Sequence, residues 1–552
     1  MDSQLSSRIM RRIMAWLPKT LLSNKNSWRW LAFYPRVTIT EQLLQEWNSS
    51  HWEEYQWWLE KHSLQSLEVL TSLSDQARQS HNPPRFSLVT PVFNTDPDVL
   101  IETILSVRAQ AYPYWQLLLV DDGSTLSETH QVLTSKICAD PRIQIISNSQ
   151  SQGISRATNR GIDKAQGDYV IFLDHDDRLA LEALYVIATE IVKNPDLDII
   201  YSDRDMISEE GKRYLHVFKP DWSPEALLSG NYLFHLMCYR RELLEQLGGL
   251  RSDYDGSQDY DLILRAAECE PKVCHIAQIL YHWRQHAASV ALNVHAKDYA
   301  FKAGIKALND ALVRRGMNAH TIEIPDFWRG TYQVEGLQID RHALQVIRID
   351  RHETAYADII SRAIADSDHP YIAILGAEIN PADSATLTKL AAWLTFEQVG
   401  LVTGKILNAP GDLDYVGMAY KRDASLIYPY QGFSRQEPGY LGVTQLVRNI
   451  SAPHPFCVVI RRSLWDTLQG FDAQFSSPYA LLDFALRALQ LNWRSVIVPQ
   501  CCFDNRGETF AAEMFSKDRP QFEARWQAHL EHGDPYYNRN LAENSRDMGL
   551  DI

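Results

Sequence analysis

The sequence contains no continuous run of about 18 apolar residues, so we expect no segment to cross a bilayer as a helix. Its early part lacks the unbroken apolar stretch of a secretory signal, so no signal peptide is expected. The seven cysteines form no Cys-X-X-Cys pair and no regular framework, which is typical of reduced, cytoplasmic proteins. A formal net charge of −15 argues against broad nucleic-acid binding, because that function requires a basic surface.

The early segment over residues 9–18 mixes Ile, Met, Trp and Leu with adjacent arginines. A helix of this composition can lie on an anionic membrane face, and it can equally pack against the protein itself. The sequence leaves these two interpretations open. We therefore expect a cytoplasmic protein, which would be peripheral at the inner face of the plasma membrane under the first interpretation.

A length of 552 residues and an apolar content of 45% are sufficient for two or three globular domains. Residues 1–84 are predicted as a helical N-terminal region, which ends at two consecutive prolines that cannot continue a helix. Residues 85–292 alternate strands and helices, a rhythm typical of an α/β domain with a doubly wound parallel sheet. Residues 293–340 are predicted as a helical linker and residues 341–552 as a second domain.

Segments of the first domain recur in the second. Residues 169–174, 239–250 and 261–265 are echoed by residues 371–376, 460–471 and 483–487. Most acids of the first domain do not recur: Gly376 and Leu481 take the positions of Asp174 and Asp259, and only Glu378, at the position of Asp176, keeps a carboxylate. We therefore expect a second domain that is related to the first but has lost its chemistry.

Three carboxylates follow the apolar, β-prone residues 169–173 within four positions, namely Asp174, Asp176 and Asp177. In an open α/β sheet, ligands bind beyond the carboxyl ends of the strands, where this cluster is expected. Clustered acids repel one another unless a cation lies between them, and hard divalent cations prefer oxygen ligands. We therefore predict that Asp174 and Asp176 hold Mg²⁺ or Mn²⁺ on a diphosphate. Asp177 is predicted to cap a helix that begins near Leu179.

Other side chains of the first domain fit the same chemistry. Asp121 and Asp122 end a predicted strand and can accept hydrogen bonds from a nucleoside, although Asp-Gly is also a common turn. His282 can complete the metal shell and Arg284 can pair with phosphates, although a lone histidine is usually structural. Asp259 opens a predicted helix and is the candidate general base, with N-capping as its alternative role.

Five motifs, taken in chain order, resemble those of glycosyltransferase family 2 enzymes with the GT-A fold: residues 90–94, 120–124, 173–177, 256–262 and 281–284. The resemblance implies nucleotide-sugar contacts from Pro91, Phe93, Asn94, Asp121, Asp122, Asp174 and Arg284. It further implies a metal-diphosphate motif at Asp174 and Asp176. It also implies inverting transfer, in which Asp259 takes the proton of the acceptor hydroxyl.

Residues 218–224, 446–451 and 534–538 resemble segments of tandem bacterial members that build O-antigens and other surface polysaccharides. This resemblance implies a catalytic GT-A domain at residues 85–292 and a degenerate GT-A-like domain at residues 341–552. The implied donor is a UDP-, dTDP- or GDP-sugar, and the implied acceptor is a saccharide or a lipid-linked molecule.

Two other functions fit parts of the sequence. One is a non-catalytic glycan-binding or scaffolding subunit of a polysaccharide assembly complex. A pure binding protein gains little from mutually repelling carboxylates, so the intact acids of the first domain argue against this function. The other is a nucleotidyltransferase, which is disfavoured because no glycine-rich, basic phosphate loop follows the first predicted strand.

Overall fold

The computed structural model describes residues 41–64, 66–285, 298–325, 327–509 and 517–552. These residues form two compact units. Unit 1 extends to Lys219 and resumes over residues 233–307, whereas unit 2 comprises residues 220–232 and 308–551. The predicted domain boundaries after residues 84, 292 and 340 stay predictions. The predicted membrane-facing helix over residues 9–18 lies outside the described residues.

Unit 1 is built on a mixed sheet. Its strands are β1 (Phe86–Val92), β2 (Trp115–Asp121), β3 (Ile143–Ser147), β4 (Tyr169–Phe172), β5 (Arg178–Leu179), β6 (Ile199–Ile207), β7 (Arg213–Val217), β8 (Met237–Arg240) and β9 (Val273–Arg284). They lie in the order β3-β2-β1-β4-β8-β6-β9-β5, and β7 pairs with β6.

The predicted parallel arrangement applies to only part of the sheet of unit 1. Strands β3, β2, β1 and β4 pair in parallel, as do β6 and β9. Strands β5, β7 and β8 run antiparallel to their neighbours. A parallel pair requires a crossover connection, and the few residues between β6 and β7 are too short for one.

Helices cover this sheet. They are α1 (Glu41–Trp47), α2 (Glu53–His62), α3 (Leu67–Gln79), α4 (Pro97–Arg108), α5 (Ser127–Leu133), α6 (Ile154–Ile162), α7 (Ala183–Lys193), α8 (Arg241–Leu247) and α9 (Gln258–Ala267), and α10 (Asp298–Arg314) continues into unit 2. The α4 helix begins where the Asp96 carboxylate accepts hydrogen bonds from the N–H groups of Asp98 and Val99. Among the described helices, none has both the length and the apolar character that crossing a membrane requires.

The register of the parallel strands brings the predicted site residues to one edge of the sheet. Val92 at the end of β1 pairs with Asp121 at the end of β2. Val89 of β1 pairs with Phe172 at the end of β4, two residues before Asp174. The acids after β2 and β4 therefore lie at the carboxyl end of the sheet, where α/β proteins bind ligands.

The N-terminal helices α1 to α3 belong to unit 1. The Tyr55 hydroxyl of α2 donates a 2.7 Å hydrogen bond to Oδ2 of Asp205 in β6. The Trp47 ring of α1 lies 4.9 Å from the guanidinium of Arg178. Tyr55 and Trp58 are buried and pack in this region, whereas Trp52 and Trp57 are exposed.

Unit 2 contains a second mixed sheet. Its main strands are β12 (Leu344–Ile349), β13 (Tyr371–Gly376), β14 (Ile379–Pro381), β15 (Val399–Leu407), β16 (Leu413–Tyr415), β19 (Arg448–Ile450), β20 (Cys457–Arg461) and β21 (Arg494–Asn505). Two small hairpins accompany them, β10 (His320–Glu323) with β11 (Tyr332–Glu335) and β17 (Ala419–Tyr420) with β18 (Leu426–Ile427). Its helices are α11 (Tyr356–Ala365), α12 (Thr386–Ala392), α13 (Arg462–Thr467), α14 (Tyr479–Gln490) and α15 (Arg519–His532).

The second sheet repeats the topology of the first. Its order β12-β13-β20-β15-β21-β14 corresponds to β1-β4-β8-β6-β9-β5, with the same parallel and antiparallel pairings. One part is missing. Between β12 and β13, residues 350–370 contain only the helix α11, whereas unit 1 places β2, β3 and their helices between β1 and β4. Unit 2 therefore lacks the strand that carries Asp121.

A buried arginine network confirms the internal repeat. In unit 1, Arg265 pairs with Asp261 at 3.0 Å and donates to the carbonyls of Leu247 and Gly249. In unit 2, Arg487 pairs with Asp483 at 2.7 Å and donates to the carbonyls that end α13, those of Leu468 and Gly470. The same interactions recur, so the repeated sequence encodes the same local structure twice.

Residues 220–232 are anchored within unit 2. The Arg494 guanidinium donates two hydrogen bonds to the Glu225 carboxylate, at 2.7 and 2.8 Å. Asn449 donates a third to Glu225 at 2.6 Å. The Ser229 hydroxyl accepts the N–H of Val447 at 3.0 Å. A segment that precedes β8 in sequence is therefore part of the core of unit 2.

Candidate functional site

The acids after β4 form a group with a histidine that the sequence analysis did not select. Asp174, Asp177 and His235 each offer one ligand atom, and these three atoms lie within 4.8 Å of one another. Asp174 and Asp177 come from the loop between β4 and β5, which we call the acidic loop (residues 174–177). His235 comes from the residues just before β8, the strand that pairs with β4.

Asp177 is the fully buried member of this group. Its Oδ2 accepts a 2.6 Å hydrogen bond from the Tyr281 hydroxyl, and its Oδ1 accepts a 2.7 Å bond from the N–H of Arg284. Burial and the neighbouring charges of Asp176 and Asp174 raise the pKa of Asp177 well above its ordinary value. Three crowded carboxyl groups therefore create a site that favours a cation.

The prediction that Asp177 caps a helix is wrong. The helix that follows, α7, begins at Ala183, and Glu182 precedes it. Asp177 instead leads directly into β5, whose first residue is Arg178. The short strand was not recognised in the sequence because two residues carry no periodicity.

His235 is oriented by aromatic rings. Its ring stacks on Tyr281 at a centroid distance of 4.8 Å, and its Nε2 lies 3.8 Å from Oδ2 of Asp174. Burial, together with the charges of Arg204 and Lys219, lowers the pKa of His235 to about 3. The imidazole is therefore neutral at physiological pH, and neutral imidazole is the form that binds metals.

His282 of β9 pairs with Arg178 of β5, the residue that follows the acidic loop, and its side chain contacts a different acid. Its Nδ1 is 2.6 Å from Oδ1 of Asp205, whose other oxygen accepts hydrogen bonds from Tyr55 and Arg213. Burial lowers the pKa of His282 to about 4, although Asp205 acts in the opposite direction. The described ligand group does not include His282. The structure thus gives the His282 side chain a place in a buried charge network around Asp205.

Arg284 is buried and already engaged within the protein. Its guanidinium pairs with Glu102 of α4, and its Nε donates a 2.9 Å hydrogen bond to the carbonyl of Asp176. Together with its backbone bond to Asp177, these contacts fix the acidic loop against β9. Thr103 adds support from α4, since its hydroxyl donates to the carbonyl of Asp177 at 2.8 Å.

The loop after β2 is organised by Asp122. Its carboxylate accepts hydrogen bonds from the side chains of Asn148 and Ser151, both at 2.7 Å, and from the N–H groups of Gln152 and Gly153. Burial alone would raise the pKa of Asp122, but these donors outweigh it and lower the pKa. Both carboxylate oxygens are thus used to join the ends of β2 and β3.

Asn94 connects the loop after β1 to the loop after β2. Its side-chain oxygen accepts the N–H groups of Thr125 and Leu126 at 2.7 and 3.0 Å. Its own N–H donates to the Ser124 hydroxyl at 3.0 Å, and the N–H of Ser124 donates to Asp121 at 2.9 Å. The predicted nucleotide residues Asn94 and Asp121 are therefore held in one network.

Two further predicted nucleotide residues flank this network. Pro91 is half-buried in β1, whereas Phe93 follows the strand with its side chain 47% exposed. An exposed ring at the carboxyl end of the sheet is available to stack on a base.

Asp259, the candidate base, lies half-buried in the first turn of α9. Its charge adds to the effect of burial in raising the pKa of Tyr239, which lies in β8. The N-cap position of α9 is Ser257, so N-capping as the alternative role of Asp259 is wrong. Asp259 therefore lies near β8, the strand that follows His235 in the chain.

The donor set of this group fits a divalent cation. Carboxylate oxygens suit Mg²⁺ and Mn²⁺, and a neutral imidazole adds one nitrogen ligand. Asp177 provides the second carboxylate of this group. Asp176, which the sequence predicted as a metal ligand, accepts a hydrogen bond from Arg284 at its backbone carbonyl. His235 stands among apolar residues just before β8, and β8 pairs with β4. A histidine at this place was the sequence signal that could have identified the ligand.

Part of the chain matches a known protein family. Residues 87–248 match the family described as glycosyl transferase family 2. The chain carries a glycosyltransferase family 2 domain. The predicted family and the GT-A type of α/β fold, with a second domain of related topology, are confirmed.

Two relatives that match most of the chain are longer than the chain itself. An uncharacterized protein, y4gI, of Sinorhizobium fredii is 29% identical over 87% of this chain and 60% of its own length. The O-antigen biosynthesis protein RfbC of Myxococcus xanthus is also 29% identical, over 87% of this chain and 42% of its own length. The chain thus spans 60% and 42% of the lengths of these two relatives.

A solved structure of S. aureus TarS 1–349 in complex with UDP-GlcNAc is also similar. It is 17% identical, with a TM-score of 0.35, and covers 42% of this chain and 66% of that chain.

Proposed function

We propose that unit 1 is a metal-dependent, inverting glycosyltransferase that moves a sugar from a nucleoside-diphosphate donor to a saccharide or lipid-linked acceptor. The observation that carries the proposal is the group formed by Asp174, Asp177 and His235 at the carboxyl end of a family 2 domain. Two carboxylates and a neutral imidazole form a cation site suited to a diphosphate. The donor is a UDP-, dTDP- or GDP-sugar.

When bound, Mg²⁺ or Mn²⁺ would neutralise the charge that develops on the departing diphosphate. Asp174, Asp177 and His235 would hold this cation. Arg284 and Thr103 keep the acidic loop in position through hydrogen bonds to Asp177. Their contribution is preorganisation, because the ligands are fixed before the donor binds.

Asp259 acts as the general base in this proposal. The acceptor hydroxyl attacks the anomeric carbon as the bond from that carbon to the diphosphate oxygen breaks, and Asp259 takes the hydroxyl proton. Its place in the first turn of α9, half-buried and close to β8, supports this role. A positioned base of this kind contributes about 10²–10⁴-fold to the rate.

On the nucleotide side, Asn94, Asp121 and Phe93 are proposed to contact the base and ribose. Their support is the network that joins the loops after β1 and β2, with an exposed ring beside it. Asp122 is proposed to shape this loop, since its oxygens accept four groups of the protein itself.

We further propose that unit 2 binds acceptor or partner proteins and performs no transfer. It has Gly376 and Leu481 in place of two acids, and residues 350–370 contain no counterpart of β2 or β3. The biological setting is cell-surface polysaccharide synthesis. The name of the Myxococcus relative, an O-antigen biosynthesis protein, and that of a 25% identical chondroitin synthase from Escherichia coli support this setting.

The test is the release of nucleoside diphosphate from a panel of nucleotide sugars in the presence of Mn²⁺ and candidate acceptors. Asp174→Asn and Asp259→Asn should each lower turnover by at least about 100-fold. Glu378→Gln, which changes the carboxylate that remains in unit 2, is the matched control and should leave turnover unchanged. Glycan binding without any release of nucleoside diphosphate would favour the scaffolding alternative instead.

A further inference from the structure

Lys219, which follows β7, is buried completely. Its ammonium lies within hydrogen-bond distance of four backbone carbonyl oxygens. These belong to Ser202 at 2.7 Å, Leu233 at 3.0 Å, Phe234 at 3.0 Å and His235 at 2.6 Å. An ammonium has three N–H donors, so all of them are directed at these carbonyls.

Three of the four carbonyls belong to consecutive residues that end at His235. Carbonyls of successive residues in an extended strand point in alternating directions, so their convergence on one nitrogen requires an irregular backbone. His235 has such a backbone, because its φ is +47°, a value that residues other than glycine rarely adopt. A conformation of this kind persists only when surrounding contacts hold it, and Lys219 supplies them.

Lys219 is itself fixed from the opposite side. Its backbone N–H donates a 2.8 Å hydrogen bond to Oδ1 of Asp203 in β6. The same oxygen lies 2.9 Å from Nε2 of His275 in β9, and the His275 ring stacks on Tyr201. The backbone of Lys219 is therefore attached to β6, separately from residues 233–235, whose carbonyls its ammonium contacts.

We propose that Lys219 is a positioning residue that holds His235 at the acidic loop, so that the imidazole can serve as a ligand for the divalent cation. The proposal rests on the proposed function of Asp174, Asp177 and His235 as a metal site. Lys219 does not contact the cation in this account. It acts only by fixing the carbonyls of residues 233–235.

The test measures binding of Mn²⁺ alone by electron paramagnetic resonance, which detects the free ion. Four proteins are compared: wild type, Lys219→Met, His235→Ala and the double variant. Removing a residue that orients a metal ligand lowers affinity by about 10–100-fold, and we expect a loss of this size for Lys219→Met. In the His235→Ala background the same change should cause no further loss, because its effect passes through His235.

Lys405 provides the matched control. It is a buried lysine of unit 2, and its ammonium lies 3.4 Å from the carbonyl of Thr444 and 3.2 Å from the side-chain oxygen of Gln445. Lys405→Met introduces the same buried change without touching His235, so Mn²⁺ affinity should be unchanged. Circular dichroism checks that each variant is folded.

The outcomes separate the two proposals. If wild type and His235→Ala bind Mn²⁺ equally, the metal site itself is wrong. If His235→Ala loses affinity but Lys219→Met does not, or if Lys219→Met causes the same loss in both backgrounds, the role of Lys219 is overturned. If Lys219→Met does not fold, Lys219→Gln, which keeps two N–H donors, takes its place. Unfolding of both would make Lys219 a general folding residue and would also overturn the proposal.

Discussion

Two histidines of unit 1 give a direct test of how the site is built. The sequence favoured His282 as the metal ligand, whereas the structure groups His235 with Asp174 and Asp177 and leaves His282 beside Asp205. Replacing each histidine by alanine should therefore affect a different property of the protein. One variant should lose metal affinity, and the other should lose stability.

For His235→Ala, the magnitude follows from the role of a direct ligand. Residues that merely orient ligands contribute about 10–100-fold to metal affinity, or about 1.4–2.7 kcal/mol, and a ligand should contribute at least as much. For His282→Ala, the loss is a 2.6 Å hydrogen bond to the buried carboxylate of Asp205. A hydrogen bond to a charged group is worth about 1.5–3 kcal/mol of the free energy of unfolding.

The assay pairs Mn²⁺ titration by electron paramagnetic resonance with urea unfolding followed by circular dichroism. His282→Asn is the control, because its side-chain amide can still donate to Asp205 and should recover part of the stability. The reasoning is refuted if His282→Ala weakens Mn²⁺ binding as strongly as His235→Ala does.

Two further predictions concern buried ion pairs, one in each unit. Arg213→Met should lower the free energy of unfolding of unit 1 by about 3–5 kcal/mol, because Asp205, 2.6 Å from Arg213 Nε, loses its cation in a buried site. The exposed pair of Lys272 with Asp196 serves as its control, and Lys272→Met should leave the free energy of unfolding nearly unchanged. Arg494→Met should leave Glu225 without its bidentate partner. In calorimetry, the unfolding midpoint of unit 2 should therefore fall while that of unit 1 stays constant. Equal shifts of the two transitions would contradict this prediction.

The sequence was sufficient for the parts of the fold that periodicity and repetition encode. The strand predicted to end at Asp121 and Asp122 agrees with β2, and the echo of Asp261 and Arg265 in Asp483 and Arg487 marks the same network in both units. A buried strand has a continuous apolar pattern, and a repeated pattern implies a repeated structure. Neither inference requires knowledge of distant contacts.

The sequence was insufficient where the structure depends on contacts between distant residues. The antiparallel β8 and the anchoring of residues 220–232 by Arg494 follow from tertiary packing that no local pattern expresses. The same reason explains why His282 was preferred over His235. A histidine and an arginine at close spacing suggest a motif, but only the fold determines that His282 faces Asp205.

Anomalous diffraction at the manganese edge, from crystals grown with Mn²⁺ and a nucleoside diphosphate, tests the central claim most directly. The account predicts a manganese peak bound by the carboxylates of Asp174 and Asp177 and by the imidazole of His235. A peak that contacts none of these three side chains, or one bound by His282, would contradict it.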